Sequence, residues 1–374
     1  MDLKLTEAQQ MLKDAARDFM SHEAPKDAIV RWQSSDEGLP QNIWQAASEL
    51  GWLGILIPER YGGSEGTFTD AAVLIEELGR GPLPGPFFQS GVLSALTLLE
   101  GATEAQRGAI LPRVAEGRDV LTVAITEPES SWGPQGVHLA PERSRAGYVL
   151  NGVKLFAPDA TAATHFIVPV RTGEATNDLS LLIVDRGAAG VSVRNLPGFI
   201  SWQAEVRFDN VTVPPEALVG GNENDGWSVL ERAMEKALPV LCAYAVGGCQ
   251  AVYEMSVAYS QTRMQFSVPI GRFQRVQDHI IRLVNHLDAA RWTTFEALWK
   301  LDAGHPAMAS AHLAKSVTGE SYFEACNAAH EVHAGVGSSH EYGLVAHTRM
   351  SRTLFHYLGD PKWHKRRMAD ALAW

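Results

Sequence analysis

The chain has 374 residues, of which 45% are hydrophobic and 20% are charged. This length allows two or three packed units, and the composition is typical of a soluble globular protein. The formal net charge of −11 disfavours nucleic acid as a partner, because an acidic surface repels phosphates. We expect no membrane span, since no apolar run reaches the length that a bilayer requires.

Cellular location is predicted from the first residues and from the cysteines. The chain does not open on a basic segment followed by an apolar one, which is the pattern of a secretory signal. Its cysteines, Cys242, Cys249 and Cys326, show no CxxC spacing. We therefore expect a cytoplasmic protein whose thiols are reduced and buried.

Residues 1–120 carry the three-to-four-residue periodicity of helices. Thr6 is predicted to cap the first helix, and a later helix is predicted to begin at Thr103, because threonine accepts hydrogen bonds from the free amides of a first turn. Three charged residues of the first helix are predicted to form a solvated face: Asp14, Arg17 and Asp18.

Near Leu121 the pattern changes to short β-branched runs separated by turn residues. Asn-Gly at 151–152 and Asp-Asn at 209–210 are predicted as turns. Residues 121–225 are therefore predicted to form an antiparallel β domain.

Long apolar stripes return at residues 226–374 and predict a C-terminal four-helix-bundle domain. Its helices are interrupted at 267–271 and at the glycine-bearing segment 334–337. Helices, then strands, then helices predict an α+β multidomain fold, with domains at 1–120, 121–225 and 226–374. The same order excludes a repeated βαβ fold.

Six sequence motifs, taken together and in order, resemble the acyl-CoA dehydrogenase family. They are ELGWLG at 49–54 with PE at 58–59 and YGG at 61–63, EELGR at 76–80, TEP at 126–128, VRFDNV at 206–211, RMQF at 263–266, and PI at 269–270 with FQ at 273–274. The resemblance extends over nearly the full length of the chain.

The resemblance implies an FAD-dependent enzyme that removes two hydrogens from the α and β carbons of an acyl-CoA thioester. In the family a glutamate takes the α proton while a hydride leaves the β carbon for the flavin, whose ring lies between the β domain and the C-terminal helices. A neighbouring subunit holds the adenine end of FAD. Electron-transferring flavoprotein is the usual electron acceptor, so oligomerisation and this partner are expected.

The resemblance also places FAD contacts on individual residues of this chain. The matching positions are Arg263, Phe266, Gln274, Glu331, Gly335, Thr126 and Phe156. An arginine suits a pyrophosphate because its planar guanidinium donates two parallel hydrogen bonds. Glu331, however, replaces a family glutamine, and Ala334 replaces the first glycine of the motif that follows it.

The region expected at the flavin ring departs further from the family pattern. Pro158 replaces a threonine and has neither a hydroxyl nor an N–H group. Trp132 stands in the segment 129–133, where the family has small residues, and Leu238 replaces an arginine. A competing interpretation makes Trp132 and Phe156 ordinary core aromatic residues.

The most important departure concerns the catalytic base. Leu358 stands where the family has glutamate, and Ala237 occupies the alternative position that a few members use. Neither side chain accepts a proton. Asp360 is two residues beyond Leu358, whereas Glu235 lies roughly 200° around the helix from Ala237.

Three functions remain open at this point. The first is the subunit without a base in a heteromeric acyl-CoA dehydrogenase, paired with a second, base-bearing subunit. The second is a self-sufficient dehydrogenase whose base has moved, for example to Asp360. The third is a scaffold that no longer uses flavin. No metal is expected, because His330, His333 and His340 lack an accompanying set of ligands.

Overall fold

The computed structural model describes residues 4–33, 35, 38–129, 131–196 and 203–374. Ser130, within the segment 129–133 compared above, lies outside the described residues. The α-helices of the described chain are α1 Glu7–Glu23, α2 Lys26–Gln33, α3 Gln41–Glu49, α4 Phe68–Arg80, α5 Ala95–Gly101, α6 Glu104–Ala115, α7 Gly226–Thr262, α8 Gln274–Asp302, α9 Met308–His333, α10 Leu344–His356 and α11 Pro361–Ala371.

The strands are β1 Leu121–Val123, β2 Glu142–Ser144, β3 Gly147–Pro158, β4 His165–Arg171, β5 Leu179–Asp185, β6 Val191–Asn195, β7 Gln203–Val213, β8 Met264–Gln265 and β9 Val268–Pro269. By compactness the chain forms two units. The first consists of the described parts of Met1–Ser35, Phe68–Pro84 and Leu238–Trp374, and the second of Asp36–Thr67 and Gly85–Ala237.

The predicted cap at Thr6 and the predicted helix start at Thr103 are confirmed. Thr6 and Thr103 each accept a hydrogen bond from the third residue of the helix that follows, and the glutamine at that position bonds back to the backbone N–H of the threonine. Both are capping boxes, which satisfy two first-turn donors at once. The solvated face predicted on α1 is wrong for Arg17, because its guanidinium binds the buried carboxylate of Glu77 through two hydrogen bonds of 3.1 and 2.9 Å.

The middle strands form two sheets around one core. One sheet has the order β1-β4-β5 and the other β2-β3-β7-β6; all neighbours are antiparallel except β1 and β4, which are parallel. Both sheets contribute buried side chains to the same cluster, among them Phe166 and Leu182 from the first and Val206 and Phe208 from the second. The middle part of the chain is a β structure, as predicted. Its one parallel pair, β1 with β4, was not indicated by the sequence.

The two predicted turns in this domain are wrong. Asn151 and Gly152 lie inside β3, and Asn210 lies inside β7, where β3 and β7 shift register. Asn210 has a φ of 51° and its N–H donates to the side-chain oxygen of Asn151 at 2.8 Å. These residues therefore lie at a shift in the pairing register of β3 and β7, and not in a turn between strands.

Helix α7 is continuous through Pro239. By length and composition alone, α7 is long and apolar enough to cross a membrane, and among the described helices it alone meets that test. However, 72% of its most apolar stretch is buried within the fold, as in the core helix of a globular protein. The cysteines are buried as predicted: Cys242, Cys249 and Cys326.

The last predicted helical stretch, residues 340–373, is divided in two. Helix α10 ends at His356, and α11 begins at Pro361. The four residues between them form a turn and include Leu358, the position of the missing base.

Candidate active site

Leu358 lies at the centre of the α10–α11 turn. Its φ of 57° is in the left-handed region, and Gly359 follows with a φ of 115°. The leucine side chain is half-buried. This backbone conformation is unusual for a leucine and persists because the surrounding structure fixes it.

The turn is held through its backbone carbonyls. The buried ammonium of Lys315, on α9, donates to the carbonyl oxygens of Leu354 at 2.8 Å and Gly359 at 3.1 Å. Burial lowers the pKa of Lys315 to about 8. These contacts do not involve the side chain at position 358, so they fix the turn whatever residue stands there.

Two buried histidines hold the other side of the turn. Nε2 of His364 lies 3.1 Å from the carbonyl oxygen of Leu358, and its Nδ1 lies 2.8 Å from Nδ1 of His312. Burial lowers the pKa of His364 to about 2 and that of His312 to about 4, so both rings are neutral. His364 must then donate from Nε2 and accept at Nδ1 from His312, which assigns one tautomer to each ring.

Asp360 has a structural task in this turn. Its carboxylate accepts a hydrogen bond of 2.8 Å from the backbone N–H of Trp363 and caps α11. A carboxylate at this position satisfies an otherwise free amide of the first helical turn. This engagement disfavours Asp360 as the moved base of a self-sufficient enzyme.

The alternative base position is a core position. Ala237, on α7, is fully buried, and Leu238 beside it is 2% exposed.

The residues that match the adenine end of FAD lie on and beside a tight hairpin. Strands β8 and β9 pair, and the two residues between them, Phe266 and Ser267, have φ values of 50° and 65°. Two positive φ values in succession are typical of a type I′ turn, whose twist suits a hairpin. The turn leaves the ring of Phe266 89% exposed, and Arg263 and Gln274 are also exposed.

Such an exposed aromatic ring has few intramolecular contacts to stabilise it. Phe266 meets the ring of Phe273 edge-on, with 6.0 Å between the centroids. Exposed arginines flank the pair: Arg263, Arg272 and Arg275. Aromatic faces beside guanidinium groups are suited to a flat heterocycle linked to phosphates.

The glycine-bearing segment follows α9. Glu331 and Gly335 are both exposed. Ala334 has a φ of 51° and a ψ of −136°, a conformation that is open mainly to glycine. The family glycine that Ala334 replaces therefore corresponds to a real conformational requirement of this backbone.

In the β domain, Phe156 lies at an irregularity of β3, between the paired residues Lys154 and Ala157. Its φ is 54° and its side chain is 48% exposed. Trp132 is half-buried. The interpretation as a core aromatic residue is wrong for Phe156, which is exposed. For Trp132, which is half-buried, it stays a prediction.

A buried ion pair supports the segment that contains Thr126. The ammonium of Lys154 is fully buried and lies 2.6 Å from the carboxylate of Glu127, which also accepts from the backbone N–H groups of His138 at 2.8 Å and Leu139 at 3.1 Å. Burial lowers the pKa of Lys154 to about 8. Beside the pair, Thr126 is half-buried and its carbonyl accepts from Leu155 at 2.8 Å.

Sequence reasoning missed one candidate acid–base group, Asp159. It follows Pro158 at the end of β3, in a left-handed conformation with a φ of 51°. The residue is half-buried, and desolvation raises the pKa of its carboxyl group to about 7. The available signal was the position of an acidic residue directly after the Phe-Ala-Pro segment that departs from the family pattern.

The histidines near residue 330 have ordinary partners. His333 bonds Tyr342 and Ser256, and His330 bonds Thr348. Within the described ranges, no group of three or more histidine, cysteine, aspartate or glutamate side chains is placed to hold a metal ion.

Comparison with known proteins identifies the class. Family models of acyl-CoA dehydrogenases match three successive parts of the chain: the N-terminal domain at residues 6–118, the middle domain at 122–211 and the C-terminal domain at 224–373. The chain belongs to the acyl-CoA dehydrogenase family, as the sequence motifs indicated.

Individual relatives match nearly the whole length of the chain. The protein named "Probable acyl-CoA dehydrogenase YngJ" of Bacillus subtilis is 30% identical over 353 residues, which covers 92% of each chain. The butyryl-CoA dehydrogenase structure from Megasphaera elsdenii is 25% identical, with a TM-score of 0.92 and 100% of both chains covered. The ChsE4-ChsE5 complex from Mycobacterium tuberculosis matches at 22% identity, with a TM-score of 0.90 and 100% and 99% coverage, and shows the fold alone.

Family membership confirms the predicted fold class and the predicted cofactor. The chain is a flavoprotein of the oxidoreductase class that acts on CH–CH bonds, and FAD is its cofactor. Its own surface fits this group at the hairpin, where Phe266 and Arg263 are exposed together. The fit is less complete at Pro158, which has no N–H to donate.

Proposed function

We propose that this chain is the subunit without a catalytic base in a heteromeric acyl-CoA dehydrogenase that introduces a double bond between the α and β carbons of an acyl-CoA thioester. The observation that carries the proposal is Leu358, an aliphatic side chain at the family's base position. Its turn keeps a defined backbone, fixed by Lys315 and His364. Ala237, at the alternative position, is buried and has no acid–base group either.

The proposed task of this chain toward FAD is to bind and orient it. When bound, FAD supplies the acceptor for the hydride that leaves the β carbon. Arg263 would bind the pyrophosphate with its planar guanidinium, and Phe266 would stack on the adenine. Gln274, Glu331 and Gly335 complete the proposed adenine-side set, and Thr126 and Phe156 form the proposed ring-side set.

The proton must then be taken by another chain. We infer a second acyl-CoA dehydrogenase subunit that keeps the glutamate, with electron-transferring flavoprotein as the electron acceptor of the complex. The fold occurs in the ChsE4-ChsE5 complex, a complex of two named chains, which is consistent with such an assembly. We further propose a cytoplasmic location and a division into domains at residues 1–120, 121–225 and 226–374.

Expression of the chain alone and together with a candidate base-bearing subunit tests the proposal. The product of a neighbouring gene in the genome is the first candidate. Flavin absorbance and acyl-CoA oxidation are measured on both preparations. The lone chain should show no dehydrogenase activity, and the complex should be yellow and active. A lone chain that is both yellow and active would refute the proposal, and a complex without flavin would support a scaffold.

A matched pair of variants at position 358 tests the missing base directly. Leu358→Glu introduces a carboxylate and Leu358→Gln introduces its uncharged isostere. A general base contributes roughly 10²–10⁴-fold to rate. If the lone Leu358→Glu chain gains that much activity over Leu358→Gln, then its acyl and flavin sites are complete, and only the base is missing.

One observation favours the second candidate, a self-sufficient dehydrogenase. The carboxyl group of Asp159 has a pKa raised to about 7, which is a suitable value for a general base at neutral pH. Under this candidate the lone chain is active, and Asp159→Asn lowers that activity by at least 10²-fold. Under the first candidate Asp159→Asn leaves the activity of the complex within a few fold.

A further inference from the structure

The proposed adenine-side set lies on two segments that are far apart in sequence. Arg263 and Phe266 belong to the hairpin that follows α7, whereas Glu331 and Gly335 lie near the end of α9 and just beyond it. All four residues are exposed. A single ADP group can contact both segments only if the ends of α7 and α9 are held in a fixed arrangement.

A buried histidine connects these two helix ends. His333 is the last residue of α9 and is 1% exposed. Its Nε2 lies 3.3 Å from the hydroxyl of Ser256, on α7, and its Nδ1 lies 3.0 Å from the hydroxyl of Tyr342, just before α10. Burial lowers the pKa of His333 to about 4, so the ring is neutral at neutral pH. Each ring nitrogen therefore has a hydroxyl partner, and the two contacts fix the orientation of the imidazole.

The same imidazole packs on the last turns of α7. The ring centroids of His333 and Tyr259 are 4.6 Å apart, with 34° between the ring planes. Tyr342 completes the cluster, with its ring centroid 5.1 Å from that of His333 and 6.3 Å from that of Tyr259. Aromatic rings at these separations stabilise one another. One side chain thus holds the end of α7 against the end of α9.

The backbone links this cluster to both parts of the adenine-side set. The N–H of Arg263 donates to the carbonyl oxygen of Tyr259 at 2.8 Å, so Arg263 is bonded to the residue that stacks on His333. On the other side, Glu331 and Gly335 each lie two residues from His333 along the chain. A shift of the imidazole would therefore change the position of the two segments relative to each other.

We propose that His333 is a positioning residue for the adenine end of FAD, because it holds the segments that carry Arg263 and Gly335 in the arrangement that binds one ADP group. The inference rests on the proposed function, from which it takes the adenine-side set. At 1% exposure His333 acts through its neighbours and does not contact the cofactor.

Calorimetric titration of the full-length chain with ADP tests the inference. ADP carries the adenine and the pyrophosphate of FAD without the flavin ring, so the result does not depend on dehydrogenase activity. The wild-type chain should bind ADP with saturation, and His333→Ala should bind it at least tenfold more weakly. Absence of ADP binding by the wild-type chain, or equal affinity of the two chains, would overturn the inference.

His347→Ala is the matched control for a loss of stability alone. His347 is 4% exposed, and its Nδ1 lies 2.8 Å from the hydroxyl of Tyr322, so it too is a buried histidine beside a tyrosine. It lies on α10, which carries no residue of the adenine-side set. The urea midpoint should fall in both variants, but ADP affinity should change less than twofold in His347→Ala. Equal losses of ADP affinity would mean that His333 only stabilises the fold, and would refute the inference.

Two milder variants each remove one hydroxyl group from the cluster and keep its aromatic rings, so both should fold. Tyr342→Phe deletes the hydroxyl that contacts Nδ1 of His333, and ADP affinity should fall at least threefold. Tyr259→Phe is the control, because it keeps the ring that stacks on His333, and affinity should change less than twofold. Unchanged affinity in Tyr342→Phe would refute the role of an imidazole oriented by its hydrogen bonds.

Arg263→Ala, in the same titration, separates failure of this inference from failure of the proposed function. If ADP affinity falls in Arg263→Ala but not in His333→Ala, the inference is refuted and the adenine-side set stands. If neither variant changes the affinity, the adenine-side set is misplaced, and the proposed function loses its FAD contacts as well.

Discussion

Replacement of Ala334 by glycine should stabilise the protein, although alanine-to-glycine changes usually destabilise. The residue caps the end of α9 with φ 51° and ψ −136°. An alanine Cβ is strained in this region of backbone space, and a glycine is not. Because the N–H of Ala334 donates to the carbonyl of His330, the surrounding structure keeps the conformation in place.

The size of the effect follows from two opposing contributions. Backbone strain of this kind costs about 1–3 kcal/mol in the folded state. Glycine adds conformational freedom to the unfolded chain and so costs about 0.5–1 kcal/mol relative to alanine. The net expectation for Ala334→Gly is a gain of about 1 kcal/mol.

Gly335 provides the matched control. It is exposed, its φ is not positive, and a Cβ added to it would meet no atom within 4 Å. Gly335→Ala should therefore be tolerated, with a gain of up to about 1 kcal/mol from the stiffer unfolded chain. Urea unfolding of both variants gives the free energies. Destabilisation by Ala334→Gly, or equal effects of Ala334→Gly and a glycine at an ordinary exposed helical alanine, would refute the strain argument.

Three further predictions follow from the sites described. In a urea titration, Glu127→Gln should destabilise the chain by about 3–5 kcal/mol, because it leaves the buried ammonium of Lys154 without its anion. Glu320→Gln is the control: it removes an exposed ion pair with Lys365 and should cost under about 1 kcal/mol. The free energy of unfolding should fall as the pH drops from about 6.5 toward 4. Burial holds the pKa of His312 at about 4 and that of His347 at about 3, so the unfolded chain takes up protons that the folded chain does not. An unfolding midpoint that stays constant over that range would contradict the neutral buried rings. Arg263→Ala should lower the FAD content of the complex at least tenfold, while Arg145→Ala, at an exposed arginine of the β domain, should leave it unchanged; equal flavin absorbance in both variants would mean that Arg263 does not bind the cofactor.

Features that depend on neighbours in sequence were predictable. The caps at Thr6 and Thr103 require a glutamine three residues further on, and that spacing is visible in the sequence. The break between α7 and α8 was predicted in the same way from a short segment that contains Pro269 and Gly271, although the hairpin that forms there was not. Fold class and family were predictable because six local motifs occur in order.

Features that depend on distant partners were not predictable. Asn-Gly at 151–152 is a turn signal, but in this fold it faces Asn210 across two paired strands. The exposure of Phe156 follows from the irregularity of β3, which is set by the register with β7. Burial of Lys154 depends on Glu127, 27 residues away in sequence, because no local pattern marks a lysine that is enclosed with its anion.

The turn at Leu358 bears on two explanations for the missing base. Either the chain has lost its function altogether, or a second subunit now supplies the base. Its backbone is fixed by hydrogen bonds to carbonyl groups: Lys315 binds the carbonyl of Gly359, and His364 binds the carbonyl of Leu358. Burying a lysine and two neutral histidines is costly unless their hydrogen bonds are made. A fold that had lost its function would gain stability by replacing them with apolar residues. Under the proposed function their presence around an aliphatic residue is expected, because a subunit that completes an active site without supplying the base must keep the geometry of this turn.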